Sequence, residues 1–169
     1  NTKLQHIPGF KKIDDVEIVS VTNRSIAFSQ AVADEYEIPN VNENWIDVVE
    51  SPDNDAICIG TWPYMHHPMV LMALECNKHV LTEARMAMNS VEANEMLTAS
   101  KINQDLVTQI VPAPHAFKID KTVKRLLSEN AIGEILSVDL NISLNGFVET
   151  ESPVHWRQIR DFSGNNVMA

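Results

Sequence analysis

Residues 56–82, AICIGTWPYMHHPMVLMALECNKHVLT, decide the fold because they place a helical segment between two apolar runs. The first run, AICIGT at 56–61, and the second, HVLT at 79–82, are typical of buried strands. Between them, apolar side chains recur at helical spacing from Pro68 to Glu75. A strand, a helix and a second strand in this order predict two parallel strands joined by a right-handed crossover.

The same alternation extends in both directions along the chain. VEIVSVT at 16–22 predicts an earlier strand, and Ser25 predicts the N-cap of the helix that follows it. Asn89 and Glu92 have the spacing of a capping box at the start of another helix. LVTQIV at 106–111 predicts a strand that is buried on both faces. The sequence therefore predicts an α/β fold with a doubly wound parallel sheet.

The pattern changes after residue 113. Apolar side chains at helical spacing predict a helix over 119–127. EILSVDLNISL at 134–144 alternates with period two, which is typical of a strand with one solvated face in an antiparallel sheet. We expect residues 1–113 to form the parallel α/β domain and residues 114–169 to begin a second domain, of the α+β class.

Composition excludes several classes of partner. The 169 residues include 13 Lys and Arg but 23 Asp and Glu, a net charge of -10 that disfavours nucleic acid and anionic membranes. Cys58 and Cys76 have neither disulfide-framework nor zinc-site spacing. No apolar run approaches the about 18 residues that a membrane helix requires. We expect a cytoplasmic protein without a metal site, a nucleic-acid partner or a membrane partner.

Ligands bind at the carboxyl ends of the strands of an open parallel sheet, so the residues that follow each strand are the candidates for chemistry. These residues are Asn23, Arg24, Ser25, Thr61, Trp62, Pro63, Glu83, Ala84, Arg85 and the segment from Pro112 to His115. Polar residues are also common in any loop between a strand and a helix, and this alternative stays open.

Several blocks of the sequence combine into a more specific pattern. Residues 53–96 contain the strand AICIGT, His66 before a helix, the segment NKHVLTEAR and a helix containing EA. LLSENAIGEILSV at 126–138 and the pair Trp156 and Arg157 follow at matching spacing. Together these blocks resemble the glucose-fructose oxidoreductase and inositol dehydrogenase family, whose corresponding segments read TP, GKHVlcEKP and WR.

The resemblance implies a Rossmann-type dinucleotide-binding domain followed by a substrate domain. It implies NAD(P)-dependent transfer of a hydride between a nicotinamide cofactor and a hydroxyl or carbonyl carbon of a sugar, cyclitol or related polyol. It also implies a homo-oligomer formed through the sheet of the C-terminal domain.

The resemblance further implies roles for single residues. Arg85 and Arg157 would hold substrate oxygens, and His66 or a histidine beyond residue 169 would exchange the proton. The residues expected to bind the cofactor are Asn23, Arg24, Ser25, Thr61, Trp62, Pro63, His66, Glu83, Ala84 and Trp156. Two alternatives stay open: His66 caps or packs a helix, and Trp62 packs in the core instead of walling the cofactor.

The sequence departs from the family pattern in two places. The GxGxxG loop that cradles a pyrophosphate is absent, so we expect NTKLQHIPGF at 1–10 to end the first helix and the sheet to lack its first strand. EAR at 83–85 replaces the family's EKP. Ala84 transfers no proton, and Arg85 stays protonated. Two rival functions therefore stay open, a glycoside hydrolase that uses a tightly held cofactor and a dinucleotide-binding sensor without catalysis.

Residues 23–25 bear on the choice of cofactor. An acidic side chain at this position binds the adenosine ribose and repels the extra phosphate of NADP. Here the side chain is the neutral Asn23, followed by the planar fork of Arg24 and the hydroxyl of Ser25. This pattern favours NADP(H) over NAD(H). The alternative is an ordinary turn and helix cap with Arg24 directed into water.

Overall fold

The computed structural model describes residues 2–112, 118–139, 141, 149 and 151–165. The strands are β1 (Ser20–Thr22), β2 (Asn40–Asn42), β3 (Ala56–Ile59), β4 (His79–Thr82) and β5 (Thr108–Ile110). The α-helices are α1 (Ile7–Phe10), α2 (Ile26–Tyr36), α3 (Trp45–Glu50), α4 (His66–Glu75), α5 (Ser90–Ile102), α6 (Asp120–Ser128) and α7 (Arg160–Ser163). Shorter turns are a π-helical turn at Thr2–His6 and 3-10 turns at Pro63–Met65 and Trp156–Gln158. The alternation of strands and helices confirms the predicted α/β fold.

All strand pairs in the described part of the chain are parallel, and they form two sheets. β1 pairs with β2, while β3, β4 and β5 lie side by side in that order. A hydrogen bond of 3.1 Å from Ser20 Oγ of β1 to Asn54 Oδ1, in the turn before β3, connects the two sheets.

Each sheet packs against its own hydrophobic cluster. The larger cluster lies between β3, β4 and the helices that cover them, and it includes Ile59 and Leu74. The smaller one joins α1 and α2 to β1 and consists of Ile7, Ala33 and Ile38 with half-buried neighbours. The helical conformation of residues 2–10 agrees with the expectation that this segment is helical.

Polar caps fix the starts of two helices, as predicted. Ser25 Oγ accepts a hydrogen bond from Phe28 N at 3.4 Å at the start of α2. Asn89 Oδ1 accepts from Glu92 N at 3.0 Å, and Glu92 Oε2 accepts from Met88 N at 2.9 Å at the start of α5. These bonds satisfy backbone donors that have no partner within the helix.

Two predicted strands differ from the structure. The prediction that residues 106–111 form a strand buried on both faces is wrong, since β5 is shorter and its residues are exposed. β5 borders its sheet in the described part of the chain, so one side lacks a neighbour. The predicted strand at 134–144 is not formed at 135–139, where no described segment pairs with the backbone; residues 140 and 142–148 lie outside the described residues.

The chain divides into two compact units. The first comprises Asn1–Val111 together with Trp156–Ala169, and the second is Pro112–His155. Within the first unit, α7 packs against the 3-10 turn Pro63–Met65. The division into domains at residues 113 and 114 stays a prediction. No helix among the described residues combines the length and apolar character needed to cross a membrane.

Candidate functional site

Four aromatic side chains meet beyond the carboxyl end of β3, and we call them the aromatic cluster: Trp62, Tyr64, Trp156 and Phe162. The Trp62 and Trp156 rings stack with centroids 5.7 Å apart and an interplanar angle of 17°. Phe162 lies 4.8 Å from Trp62 and 6.0 Å from Tyr64. Residues almost a hundred positions apart in sequence are thus held together at the edge of the sheet where ligands of this fold class bind.

Two arginines lie on the outer faces of the stacked rings. The Arg24 guanidinium carbon is 5.0 Å from the centre of the Trp62 ring, and that of Arg157 is 4.4 Å from the centre of the Trp156 ring. Such exposed cation–aromatic contacts are worth about 0.5–1 kcal/mol each, enough to favour one side-chain orientation. Arg24 therefore lies on a tryptophan ring, which differs from the alternative in which it points into water.

The buried residue Ser163 is hydrogen-bonded to two of the predicted arginines, Arg85 and Arg157. Arg85 Nη1 donates to Ser163 O at 2.9 Å, and Ser163 Oγ donates to Arg157 O at 2.9 Å. Ser163 is only 2% exposed. Burial lowers the pKa of the Arg85 guanidinium, and the nearby charge of Arg157 adds to this effect.

The segment that contains Ser163 packs closely against the loop before α5. Gly164 has a φ of +74°, and a Cβ added there would lie 2.3 Å from Met88 O. Asn165 N donates to the same carbonyl oxygen at 3.0 Å. Only glycine accommodates both the backbone conformation and the close approach at this position.

His66 is completely buried at the start of α4. Its Nδ1 lies 2.7 Å from Arg85 O, and its Nε2 lies 3.1 Å from Thr61 O. Carbonyl oxygens only accept and a neutral imidazole carries a single N–H, so the neutral ring donates to one of the two carbonyl oxygens at a time. The imidazole therefore connects the loop after β3 to the loop after β4.

Glu83, the first residue after β4, contacts the N-terminal helical segment. His6 Nε2 lies 2.7 Å from Glu83 Oε1, and both side chains are largely buried, with exposed fractions of 15% and 12%. Burial, and to a smaller extent the Glu83 carboxylate, raises the pKa of the half-buried Cys58 thiol to about 11. At neutral pH this thiol is protonated and therefore a poor nucleophile.

The structure brings some predicted site residues together and gives others local roles. Arg24, Trp62, Trp156 and Arg157 meet at the aromatic cluster, and Arg85 is hydrogen-bonded to Ser163, the residue after Phe162.

The remaining predicted residues have backbone or packing contacts. Asn23 Oδ1 accepts from Arg24 N at 2.8 Å, and Ser25 caps α2. Pro63 is buried as the first residue of its turn, whereas Thr61 and Ala84 are exposed. Among the residues that the structure describes, no group of three or more His, Cys, Asp or Glu side chains is placed to hold a metal ion.

Sequence reasoning missed His6, Phe162 and Ser163. The glycine in FSGNN at 162–166 was a usable signal, because a glycine after a short helix marks a backbone position that other residues resist. No sequence signal links His6 to Glu83.

Comparison with known proteins places this geometry in a wider context. The sequence profile described as "Oxidoreductase family, NAD-binding Rossmann fold" matches residues 2–110. The trans-1,2-dihydrobenzene-1,2-diol dehydrogenase of Danio rerio is 29% identical over 119 residues, which cover 70% of this chain and 35% of that protein. The chain thus spans about a third of the length of this curated relative.

Solved structures share the fold. Scyllo-inositol dehydrogenase from Lactobacillus casei, with NAD(H) and scyllo-inositol bound, has a TM-score of 0.64 and 21% identity, covering 76% of this chain and 38% of that one. A 3-ketoreductase from Actinomadura kijaniata, in complex with NADP and TDP-benzene, has a TM-score of 0.63 and 18% identity, covering 79% and 40%. The fold is therefore found with either nicotinamide cofactor.

Proposed function

Because the chain belongs to the oxidoreductase family with an NAD-binding Rossmann fold, we propose that it is the cofactor-binding part of an enzyme that transfers a hydride. The hydride passes to or from a hydroxyl or carbonyl carbon of a sugar, cyclitol or related polyol. The observation that carries this proposal is the position of Arg24 and Arg157 on the rings of the aromatic cluster, with Arg85 hydrogen-bonded to the adjoining Ser163, after the carboxyl ends of the strands. The diol named in the Danio rerio relative supports a substrate with hydroxyl-bearing carbons.

The residues of this chain supply binding and orientation. When bound, a nicotinamide cofactor supplies the redox chemistry as hydride donor or acceptor. Arg85 and Arg157 donate hydrogen bonds to substrate oxygens, and the Trp62 ring, covered by Trp156 and Arg24, packs within the aromatic cluster. Both guanidinium groups stay protonated, so they orient oxygens without exchanging protons. His66 faces two carbonyl groups, which favours a role in holding the two loops, and the proton is then exchanged by another group.

The function is tested by incubating the full-length protein with candidate sugars and polyols while following the absorbance of the reduced cofactor. Net formation or consumption of reduced cofactor is the expected result. Glycoside cleavage without net redox change would indicate a glycoside hydrolase that uses a tightly held cofactor. Cofactor binding without turnover would indicate a dinucleotide-binding sensor.

The cofactor that we propose is NADP(H) in preference to NAD(H). Arg24 is exposed, and its position on the Trp62 ring orders the guanidinium before any phosphate arrives. The Asn23 side chain, which accepts from Arg24 N, places no carboxylate where it would repel that phosphate. Ser25 Oγ uses a lone pair for the helix cap, and its proton stays available for donation.

Arg24→Ala is expected to weaken NADP binding about tenfold or more, the effect of losing a charge-assisted hydrogen bond, and to change NAD binding little. Dissociation constants of both cofactors for the full-length protein measure this difference. Arg125→Ala is the matched control, because Arg125 is an exposed arginine of α6 paired with Glu129 in the other compact unit. Preference of the unsubstituted protein for NAD, or equal weakening of both cofactors, would contradict the proposal.

Ala84→Lys is expected to leave turnover of the native substrate unchanged or lower. Ala84 is exposed and directly precedes Arg85, so an added ammonium group would face a guanidinium already directed at the same oxygens. Ala84→Met, of similar length but uncharged, is the control for bulk. A gain in kcat of tenfold, which corresponds to about 1.4 kcal/mol in the barrier, would show that a missing lysine limits the reaction.

Two further proposals rest on the family resemblance and on composition. The resemblance supports a homo-oligomer formed through the sheet of the second domain. The net charge of -10 and the absence of a disulfide framework from the sequence support a cytoplasmic protein.

A further inference from the structure

We infer that His6 is a positioning residue, which holds the Glu83 carboxylate and so fixes the loop at 83–85 from which Arg85 reaches the substrate. This inference rests on the proposed function, in which Arg85 holds substrate oxygens. His6 acts on the substrate through Glu83 and the loop, without touching it.

The contact between His6 and Glu83 joins parts of the chain that are 77 positions apart in sequence. His6 Nε2 lies 2.7 Å from Glu83 Oε1, and both side chains are largely buried. A carboxylate only accepts, so the imidazole is the donor, and a hydrogen bond to a charged group is a strong one. Burying a carboxylate without its donor is costly, so loss of the ring would turn Glu83 toward water and displace the loop.

The N-terminal segment that contains His6 is itself held in place from two sides. Tyr36 Oη donates to Lys3 O at 2.9 Å, which attaches the segment to α2. On the other side, Thr2 lies so close to the end of β3 that a Cβ added at Gly60 would overlap the Thr2 hydroxyl oxygen. A side chain can position another only when its own location is fixed, and His6 meets this condition.

The loop after β4 is short, and a different histidine contacts each of its ends. Glu83 begins the loop and accepts from His6, whereas Arg85 O, at the other end, lies 2.7 Å from His66 Nδ1. Ala84 between them is exposed, so its side chain adds little packing. The direction in which the Arg85 side chain leaves the loop therefore depends on both ends, and His6 holds the Glu83 end.

The test uses the full-length protein with its cofactor and the sugar or polyol that it turns over fastest. His6→Leu, which keeps the bulk and removes the donor, is expected to raise KM about tenfold or more and to change kcat less than about threefold, because Arg85 orients bound substrate. His6→Gln places an amide donor near the position of Nε2, so KM should stay within about threefold of the unsubstituted value. Glu83→Gln keeps the acceptor and loses the charge, and an intermediate KM is expected.

His67→Leu is the matched control. His67 Nε2 also lies 2.7 Å from a carboxylate oxygen, that of Glu95, but this pair is on the surface. KM should not change in this variant. A merely structural role for His6 would lower the melting temperature of His6→Leu and leave KM unchanged where the variant is folded, and that result would overturn the inference. If His6→Leu does not fold, an unchanged KM in Glu83→Gln would overturn it instead.

NMR separates this inference from the proposed function, because it requires no turnover. The side-chain N–H signals of Arg85, recorded with cofactor present, report how well the guanidinium is ordered. Signals that His6→Leu broadens and His67→Leu preserves would support the inference even if no sugar or polyol were oxidised or reduced, a result that would overturn the proposed function alone. Arg85 signals that are the same in His6→Leu as in the unsubstituted protein would overturn the inference.

Discussion

Replacing His66 by alanine is expected to lower the free energy of unfolding by about 3 to 5 kcal/mol. The substitution leaves a cavity at a completely buried position and removes the ring that lies within hydrogen-bond distance of the Thr61 and Arg85 carbonyl groups. Denaturant titration of the full-length protein, followed by circular dichroism, measures the loss.

The neighbouring residue provides the control. His67 lies on the same helix, but it pairs with Glu95 on the surface, with exposed side-chain fractions of 22% and 55%. An exposed pair of this kind contributes about 1 kcal/mol at most. If His67→Ala destabilised the protein as much as His66→Ala, the burial of His66 and its contacts with the two carbonyl groups would not be the reason for its effect.

The second large effect is expected at Gly164, where alanine should cost about 3 kcal/mol or more. The φ of +74° disfavours a side chain, and the added Cβ would lie 2.3 Å from Met88 O, so the segment must move. Movement of this segment displaces Ser163 and with it the anchor of Arg85. Thermal unfolding measures the stability, and KM for the substrate reports the loss of the anchor.

Two other glycines separate the causes. Gly133 has a φ of +69° with nothing within 4 Å of an added Cβ, so alanine there adds backbone strain alone, about 1 kcal/mol. Gly9 lies in α1 with nothing within 4 Å, and alanine there should be neutral or slightly stabilising. A Gly164→Ala variant no less stable than Gly133→Ala would show that the contact with Met88 gives way without cost.

Sequence patterns predicted the elements whose cause is local. β4 was predicted correctly at 79–82 because a short apolar run is enough to identify a buried strand. α5 was predicted from the Asn89 cap and from the helical spacing of its apolar residues. β2 was missed because its residues, Asn40–Asn42, contain one apolar side chain and become a strand by pairing with β1. The alternation at 134–144 gives no strand at the described residues 135–139 for the opposite reason, since pattern alone supplies no pairing partner.

The site could be predicted only in part. The rule that ligands bind after parallel strands led to Arg24, Trp62 and Arg85, which the structure places around the aromatic cluster. The contacts of Trp62 with Phe162 and of Arg85 with Ser163 depend on how a distant segment returns to the sheet. Such packing is a property of the folded chain, and no local pattern of residues encodes it.

The division of the sheet between β1 and β3 has a consequence for cooperativity. Each sheet has its own hydrophobic cluster, so the two halves are suited to open and exchange their amide hydrogens as separate cooperative units. Arg24 follows the strand of one half and Arg85 a strand of the other. A ligand that contacts both arginines binds only when both halves are closed. Its binding therefore couples the two opening equilibria, and the halves then open together.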